Sequence, residues 1–217
     1  MKKCISAIAV LFFSVTFING QSFLSEVNAF SKIDSIRAQP PNAILLIGSS
    51  SFTIWKDVEA YFPGYSFINR AFGGSSLTHQ IEYVDKVVYR YQPKQILIYC
   101  GENDIAASHE ITADSVLNRF VRLHQLIREK YPEVRISFVS IKPSPVRAEF
   151  LPTVVKANSL IADFCSRNKQ TEYIDVFSSM LKSDGSPNDE IFIADRLHMN
   201  SKGYIIWANI IRPYLID

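Results

Sequence analysis

The chain has 217 residues, 47% of them hydrophobic and 20% charged, with a formal net charge of +2. Apolar content of this order supports one domain with a substantial buried core and excludes a disordered, collagenous or coiled-coil chain. Neither sign of charge dominates, so nothing marks the protein as a binder of nucleic acid or of an anionic membrane.

The first twenty residues differ from the rest. Lys2 and Lys3 precede an apolar run over residues 5–18, and Asn19-Gly20 then offer a small-residue cleavage point. The run is shorter than the roughly 20 residues a membrane-spanning helix needs, so the pattern predicts a signal peptide over residues 1–20 and a single domain over 21–217. The expected location is secreted or periplasmic, with no integral membrane segment in the mature chain. Removing two lysines and no acid leaves 21 basic and 21 acidic side chains. An oxidising compartment permits a disulfide. Cys100 ends an apolar run and Cys165 sits in an amphipathic stretch, which favours two buried thiols behaving as small hydrophobes over one bridge.

Beyond the leader, a helix is expected over 22–37 and a strand over 43–47, followed by a short helical segment around 54–60. Strands then alternate with helices: strand 66–69, helix 76–91, strand 95–100, helix 112–130, strand 135–141, helix 153–168, strand 172–176 and helix 201–211. Thr112 and Ser201 are placed as N-caps, and the Pro93 and Pro132 neighbourhoods as helix exits. Short Ile/Val/Phe/Tyr runs alternating with stretches of helical period predict a parallel sheet covered on both faces, a three-layer α/β/α sandwich. In such open sheets ligands bind beyond the carboxyl ends of the strands, and polar signatures directly follow three of the predicted strands.

Four segments carry candidate chemistry. Gly48-Ser49-Ser50-Ser51 follows Ile44-Leu-Leu-Ile47, and a strand-to-helix turn of this kind can present a serine hydroxyl beside helix-start amides, although an N-cap or a phosphate cradle reads the same way. Asn69-Arg-Ala-Phe-Gly73-Gly74-Ser75-Ser76 has paired glycines that let a backbone amide approach a ligand, or simply make a tight turn. Gly101-Glu102-Asn103-Asp104 offers Asn103, an uncharged donor suited to a developing oxyanion, or a plain Asn-Asp turn. Asp195-Arg-Leu-His198 can bring a carboxylate beside an imidazole and fix its tautomer. Together they supply a nucleophile, a base, an orienting acid and oxyanion donors, with no part missing.

In that order, and spanning residues 48 to 203, the four segments resemble the four blocks of the SGNH hydrolase superfamily, the GDSL-like lipases and acylhydrolases. The resemblance implies a flavodoxin-like five-stranded parallel sheet of order 2-1-3-4-5 and neither metal nor organic cofactor. It implies Ser50 as nucleophile, Asp195 and His198 as its partners, and an oxyanion hole of the Ser50 amide, the Gly74 amide and the Asn103 side chain. Ser49 stands where the family's Gly-Asp-Ser has aspartate, as in a subset resembling lysophospholipase-like and platelet-activating-factor acetylhydrolase-like members. That aspartate is outside the triad, so its absence bears on substrate rather than on chemistry. The implied activity is hydrolysis of a carboxylic ester, with a short acyl group such as acetyl on a carbohydrate or lipid-like alcohol. A noncatalytic carbohydrate-binding module on the same fold, and a flavin binder using residues 48–51 as a phosphate loop, are the alternatives; neither gives the Asp195–His198 pair a task.

The remaining candidates take structural readings. His79 is expected as a partly exposed helix residue, His109 as a loop residue within reach of a substrate, and His124 as a surface residue; no pair has the spacing of a metal site. Lys142-Pro-Ser-Pro145 reads equally as a wall of the cleft or as a plain rigid loop. Trp55, Phe72 and Tyr99 read as core, and Asp104 as a holder of its loop through hydrogen bonds.

Overall fold

The computed structural model describes residues 19–217, with side chains from residue 23 onward; the expected leader lies outside the described residues except for the backbone of its last two. Five strands form one sheet: β1 (Ile44–Gly48), β2 (Phe67–Asn69), β3 (Gln95–Tyr99), β4 (Arg135–Val139) and β5 (Thr171–Ile174). Their order is β2-β1-β3-β4-β5 and every pairing is parallel, which is the order that the family resemblance implies.

Every residue of β1 and β3 is buried, as expected for central strands covered on both faces, where apolar runs replace alternation. Side chains still alternate between faces. Leu45, Ile47, Ile96 and Ile98 join one core, beneath helices α1 (Asn19–Ile36), α4 (Leu77–Glu82), α5 (Val84–Val87), α7 (Ala113–Lys130) and α8 (Leu151–Ser166). Ile44, Leu46, Leu97 and Tyr99 join the other, beneath α2 (Ser50–Ile54), α3 (Val58–Tyr61) and α9 (Ser201–Ile211). A further short helix, α6 (Glu102–Ala106), leaves the end of β3. Trp55, Phe72 and Tyr99 are core residues, and Cys100 and Cys165 are buried and unpaired, as read from the sequence.

Three expectations need correction. The helix over 76–91 is two short ones, α4 and α5, broken at Tyr83 (φ −105°, ψ 15°); the run Val84, Val87, Val88 with Tyr83 and Tyr89 is a poor helix former. The last helix is capped by Asn200, not Ser201: the Asn200 side chain accepts from Lys202 N at 2.9 Å and Gly203 N at 3.4 Å. The same carboxamide donates to the Glu190 and Phe192 carbonyls, so it also ties the preceding loop to the helix start. Thr112 caps α7 as expected, accepting from Ser115 N at 3.1 Å.

His124 is buried, not on the surface. Val116, Phe120, Leu123, His124 and Ile127 form one core-facing stripe of α7 at helical spacing. The imidazole packs edge-on against Phe120 and Phe164 and meets Thr171 Oγ1 at 2.9 Å. Burial, with the Arg128 charge adding to it, pushes its pKa down to about 4. A histidine kept neutral in the fold but protonated at about 6.5 in the unfolded chain costs stability progressively as pH falls between those two values. Urea denaturation at pH 7 and pH 4 should therefore show wild type losing up to about 3 kcal/mol more than His124→Gln over that interval; equal losses would show that His124 does not couple to folding.

Candidate active site

The site is assembled at the carboxyl edge of the sheet, starting with Gly48. This last residue of β1 has φ +130°, and a Cβ there would lie 1.9 Å from the Tyr99 carbonyl oxygen of β3. Only glycine allows the two strand ends to pass this closely. The Gly48 carbonyl then accepts from Phe72 N at 3.0 Å, Ser75 Oγ at 2.9 Å and Gln80 Nε2 at 3.2 Å. The turn carrying Gly73 and Gly74 is thereby bound to the strand that delivers Ser50.

The next ties lead to β3. Asn103 Nδ2 donates to the Ser75 carbonyl at 2.9 Å, and Cys100 Sγ donates to the same oxygen at 3.6 Å. Asp104, fully buried, accepts from Leu77 N at 2.9 Å and pairs with Arg119 at 2.7 Å, so the hydrogen bonding expected of it ties its loop to α4 and α7. Gly101 has φ +118°, and a Cβ there would lie 2.7 Å from Ile141 Cδ1, so this turn too is restricted to glycine. The Ser50 and Gly74 amides have no hydrogen-bond partner among the described residues.

Ser50 begins α2, half-buried, with its Oγ 2.9 Å from His198 Nε2. His198 Nδ1 lies 2.6 Å from Asp195 Oδ2. The other carboxylate oxygen, Oδ1, accepts from the backbone amides of Leu197 and His198, each at 2.9 Å, in a tight turn that fixes the pair. Partial burial pushes the Asp195 pKa up, but these two amides and the imidazole outweigh it and hold it at about 2. An ionised Asp195 only accepts, so Nδ1 carries the hydrogen and Nε2 is left to accept from the Ser50 hydroxyl. Of the neighbouring serines, Ser49 is buried at the end of β1 and Ser51 is buried under Tyr204, whose hydroxyl donates to the Ser51 carbonyl at 2.8 Å.

The loop of Asp195 is secured on several sides. Ile193 N donates to the His198 carbonyl at 2.8 Å, Arg196 pairs with Asp189 at 2.8 Å, and Val146 N donates to the Arg196 carbonyl at 3.2 Å. The last bond joins the segment after β4 to the Asp195–His198 loop. Lys142-Pro-Ser-Pro145 is therefore more than a wall: Lys142 and Ser144 are buried and converge with Tyr99 and Arg147 on Glu102. The Lys142 ammonium is held down by burial and up by Glu102, and it also feels the Asp195 carboxylate. This cluster is invisible to local sequence patterns, because Glu102 and Lys142 are forty residues apart; the one available signal was a charged residue on each of two adjacent strand ends.

His79 is partly buried and caps its own helix with Ser76. His109 is exposed, 4.0 Å from Glu149 and beside Phe150. No group of three His, Cys, Asp or Glu side chains among the described residues is arranged to hold a metal, and no described helix is long and apolar enough to cross a membrane.

With this geometry in hand, residues 33–206 match the model of the GDSL-like Lipase/Acylhydrolase family. Platelet-activating factor acetylhydrolase IB subunit alpha2 of Rattus norvegicus is 25% identical over 183 residues, covering 78% of this chain and 73% of that protein. Among solved structures, a GDSL-like lipase from Bacteroides thetaiotaomicron superposes with a TM-score of 0.72 at 18% identity, covering 87% of this chain and 96% of the other. A carbohydrate esterase family 3 protein from Talaromyces cellulolyticus superposes with a TM-score of 0.62 at 16% identity, covering 79% and 95%.

The Gly48 contact yields a stability test. Gly64 also has positive φ, at +93°, but a Cβ there meets nothing within 4 Å. Gly64→Ala should cost about 1–3 kcal/mol from backbone strain alone, while Gly48→Ala should cost distinctly more and lower the melting temperature further; equal melting temperatures would contradict the close passage of β1 and β3.

Proposed function

The chain belongs to the GDSL-like lipase/acylhydrolase family and is a carboxylic ester hydrolase; from that premise we propose that it cleaves short-chain, acetyl-type esters of a carbohydrate or lipid-like alcohol through Ser50, His198 and Asp195. The observation that carries this reading is the unbroken hydrogen-bonded line from the Ser50 hydroxyl through the imidazole to an ionised carboxylate. A noncatalytic binding module has no use for such an alignment.

In this reading Ser50 Oγ attacks the acyl carbon while its proton passes to His198 Nε2, and the carbonyl oxygen becomes an oxyanion. Asp195 keeps the imidazole in the tautomer that can accept and stabilises the imidazolium that forms. The oxyanion is received by the Ser50 and Gly74 amides and by the Asn103 carboxamide hydrogen left over after its bond to Ser75. His198 then gives its proton to the leaving alcohol. Water, deprotonated by the same nitrogen, attacks the acyl-Ser50 ester, and collapse of the second tetrahedral intermediate releases the acid and restores the Ser50 hydroxyl.

A small acyl group is supported by two features. Trp55, Phe72 and Tyr99 are packed in the core. The exposed apolar side chains on the segments of the site are Ile54, on the helix of Ser50, and Val146 and Ile193, on the two loops joined by the Val146–Arg196 bond. The names of the relatives point the same way, one an acetylhydrolase and one a carbohydrate esterase. We also propose, from Lys2, Lys3 and the apolar run at 5–18, that the enzyme is exported after cleavage near Gly20.

Hydrolysis of p-nitrophenyl acetate, butyrate and octanoate provides the test. Turnover should fall with acyl length, and Ser50→Ala or His198→Ala should lose at least ~10⁴-fold; an active Ser50→Ala enzyme would refute the assignment. Asn103→Ala should lose ~10²–10³-fold in kcat while remaining folded. A histidine base must be neutral to accept a proton, so kcat/KM should fall in acid. Asp195, held at about 2, stays ionised through that range and adds no limb of its own. A profile flat down to pH 4 would contradict a histidine base.

A further inference from the structure

Glu102 is buried directly beneath the Asn103 loop, and its carboxylate faces two cations, Lys142 and Arg147. It also accepts from the Tyr99 hydroxyl at 2.7 Å and from Ser144. Lys142 is buried as deeply, with a side chain 1% exposed. Taking such charges out of water is costly and contributes little net stability compared with an apolar core. Two cations against one carboxylate leave the cluster positive, and Arg147 is the member that reaches the site. One guanidinium nitrogen lies 3.3 Å from Glu102 Oε1, and the other donates to Asn103 Oδ1 at 3.0 Å.

That second contact decides which way the Asn103 carboxamide faces. A primary amide can turn over by 180° with little change of shape, but only one face donates. Turned over, Asn103 would present its oxygen to the Ser75 carbonyl and to any acyl oxygen, two repulsions and no donor. A guanidinium only donates, so Arg147 can only meet the amide oxygen. The Ser75 carbonyl demands an N–H from the opposite side at 2.9 Å. Between them they leave one N–H uncommitted, and a cation on the amide oxygen polarises that N–H into a stronger donor.

The geometry points to Arg147 as a positioning residue for ester hydrolysis, holding Asn103 with its N–H toward the acyl oxygen and backing it with the surplus positive charge of the Glu102–Lys142–Arg147 cluster. This inference rests on the reading of Asn103 as an oxyanion donor. Because the bound ester carries no oxyanion and the charge develops only as the tetrahedral species forms, the contribution belongs to kcat and not to KM. Because Ser75 still orients the amide, removing Arg147 should cost less than removing Asn103.

Steady-state hydrolysis of p-nitrophenyl acetate by wild type, Arg147→Ala, Arg147→Lys, Asn103→Ala and the Arg147→Ala/Asn103→Ala double variant tests it. Arg147→Ala should lower kcat at least ~10-fold with KM within ~2-fold, Arg147→Lys should fall between it and wild type, and both should fall less than the ~10²–10³-fold of Asn103→Ala. In the Asn103→Ala background, Arg147→Ala should change kcat less than ~2-fold, because its effect passes through the missing amide. A full additional ~10-fold loss there would overturn the inference, since a merely structural role is additive. Should Arg147→Ala not fold, Arg147→Lys and Arg147→Gln in the same two backgrounds carry the comparison. A fall in Asn103→Ala with none in the Arg147 variants would overturn the Arg147 assignment alone, whereas normal turnover in Asn103→Ala would overturn both it and the oxyanion reading beneath it.

Discussion

The close passage of β1 and β3 at Gly48 is the constraint on which the site depends. There the backbone of one strand lies so near the Tyr99 carbonyl of the next that no side chain fits between them. The Gly48 carbonyl is turned toward the adjoining turn, where it collects three donors from Phe72, Ser75 and Gln80. Ser50 leaves this junction at the start of α2, which Phe52 anchors in the core against Tyr99 and Trp207. Ser75 passes the constraint on to Asn103, Arg147 continues it to the segment after β4, and Val146 hands it to the Asp195 turn. Each of the four loops is thus held by its neighbour, and a shift in one is felt by all.

Local patterns in the chain marked most of this arrangement. Central strands such as Ile44-Leu-Leu-Ile47 and Ile96-Leu-Ile98 stand out because burial on both faces removes alternation. Ser50, Gly74, Asn103, Asp195 and His198 stand in short motifs directly after strands or before the last helix, each open to a plain turn or cap reading alone, and it is the resemblance to the four family blocks that singles them out. What local pattern could not show was pairing at long range. Glu102 sat unremarked inside a motif singled out for its glycine and asparagine, since its partners Lys142, Ser144 and Arg147 come from the next strand's exit. Arg70 was likewise passed over between Asn69 and Gly73, although it reaches back to Asp34 of α1 and shares it with Tyr91.

The misplaced elements have equally local causes. His124 looked polar by residue type, but its position on the α7 stripe outweighed its chemistry, and the fold keeps it neutral to keep it buried. The break at Tyr83 reflects β-branched residues that tolerate a helix poorly, against an apolar period that suggested one continuous helix. Asn200 displaced Ser201 as cap because a carboxamide can accept from the helix start and donate to the preceding loop at once, and a hydroxyl has too few hydrogens for that. In each case tertiary contact selected among options that the residues left open.

Electrostatically the site is divided. Asp195 supplies negative charge behind the imidazole, while the Ser50 and Gly74 amides have no acceptor among the described residues and Asn103, bonded to Ser75 through one N–H, is backed by Arg147 of the Glu102–Lys142–Arg147 group. In the proposed mechanism the Ser50 hydroxyl loses its proton to His198 and the developing negative charge falls to these donors. The structure of the enzyme after reaction with a fluorophosphonate tests this account most directly. It predicts a covalent bond to Ser50 Oγ, with the phosphoryl oxygen within hydrogen-bond distance of the Ser50 and Gly74 amides and of Asn103 Nδ2. An adduct on another residue, or a phosphoryl oxygen turned to solvent away from those three donors, would contradict it.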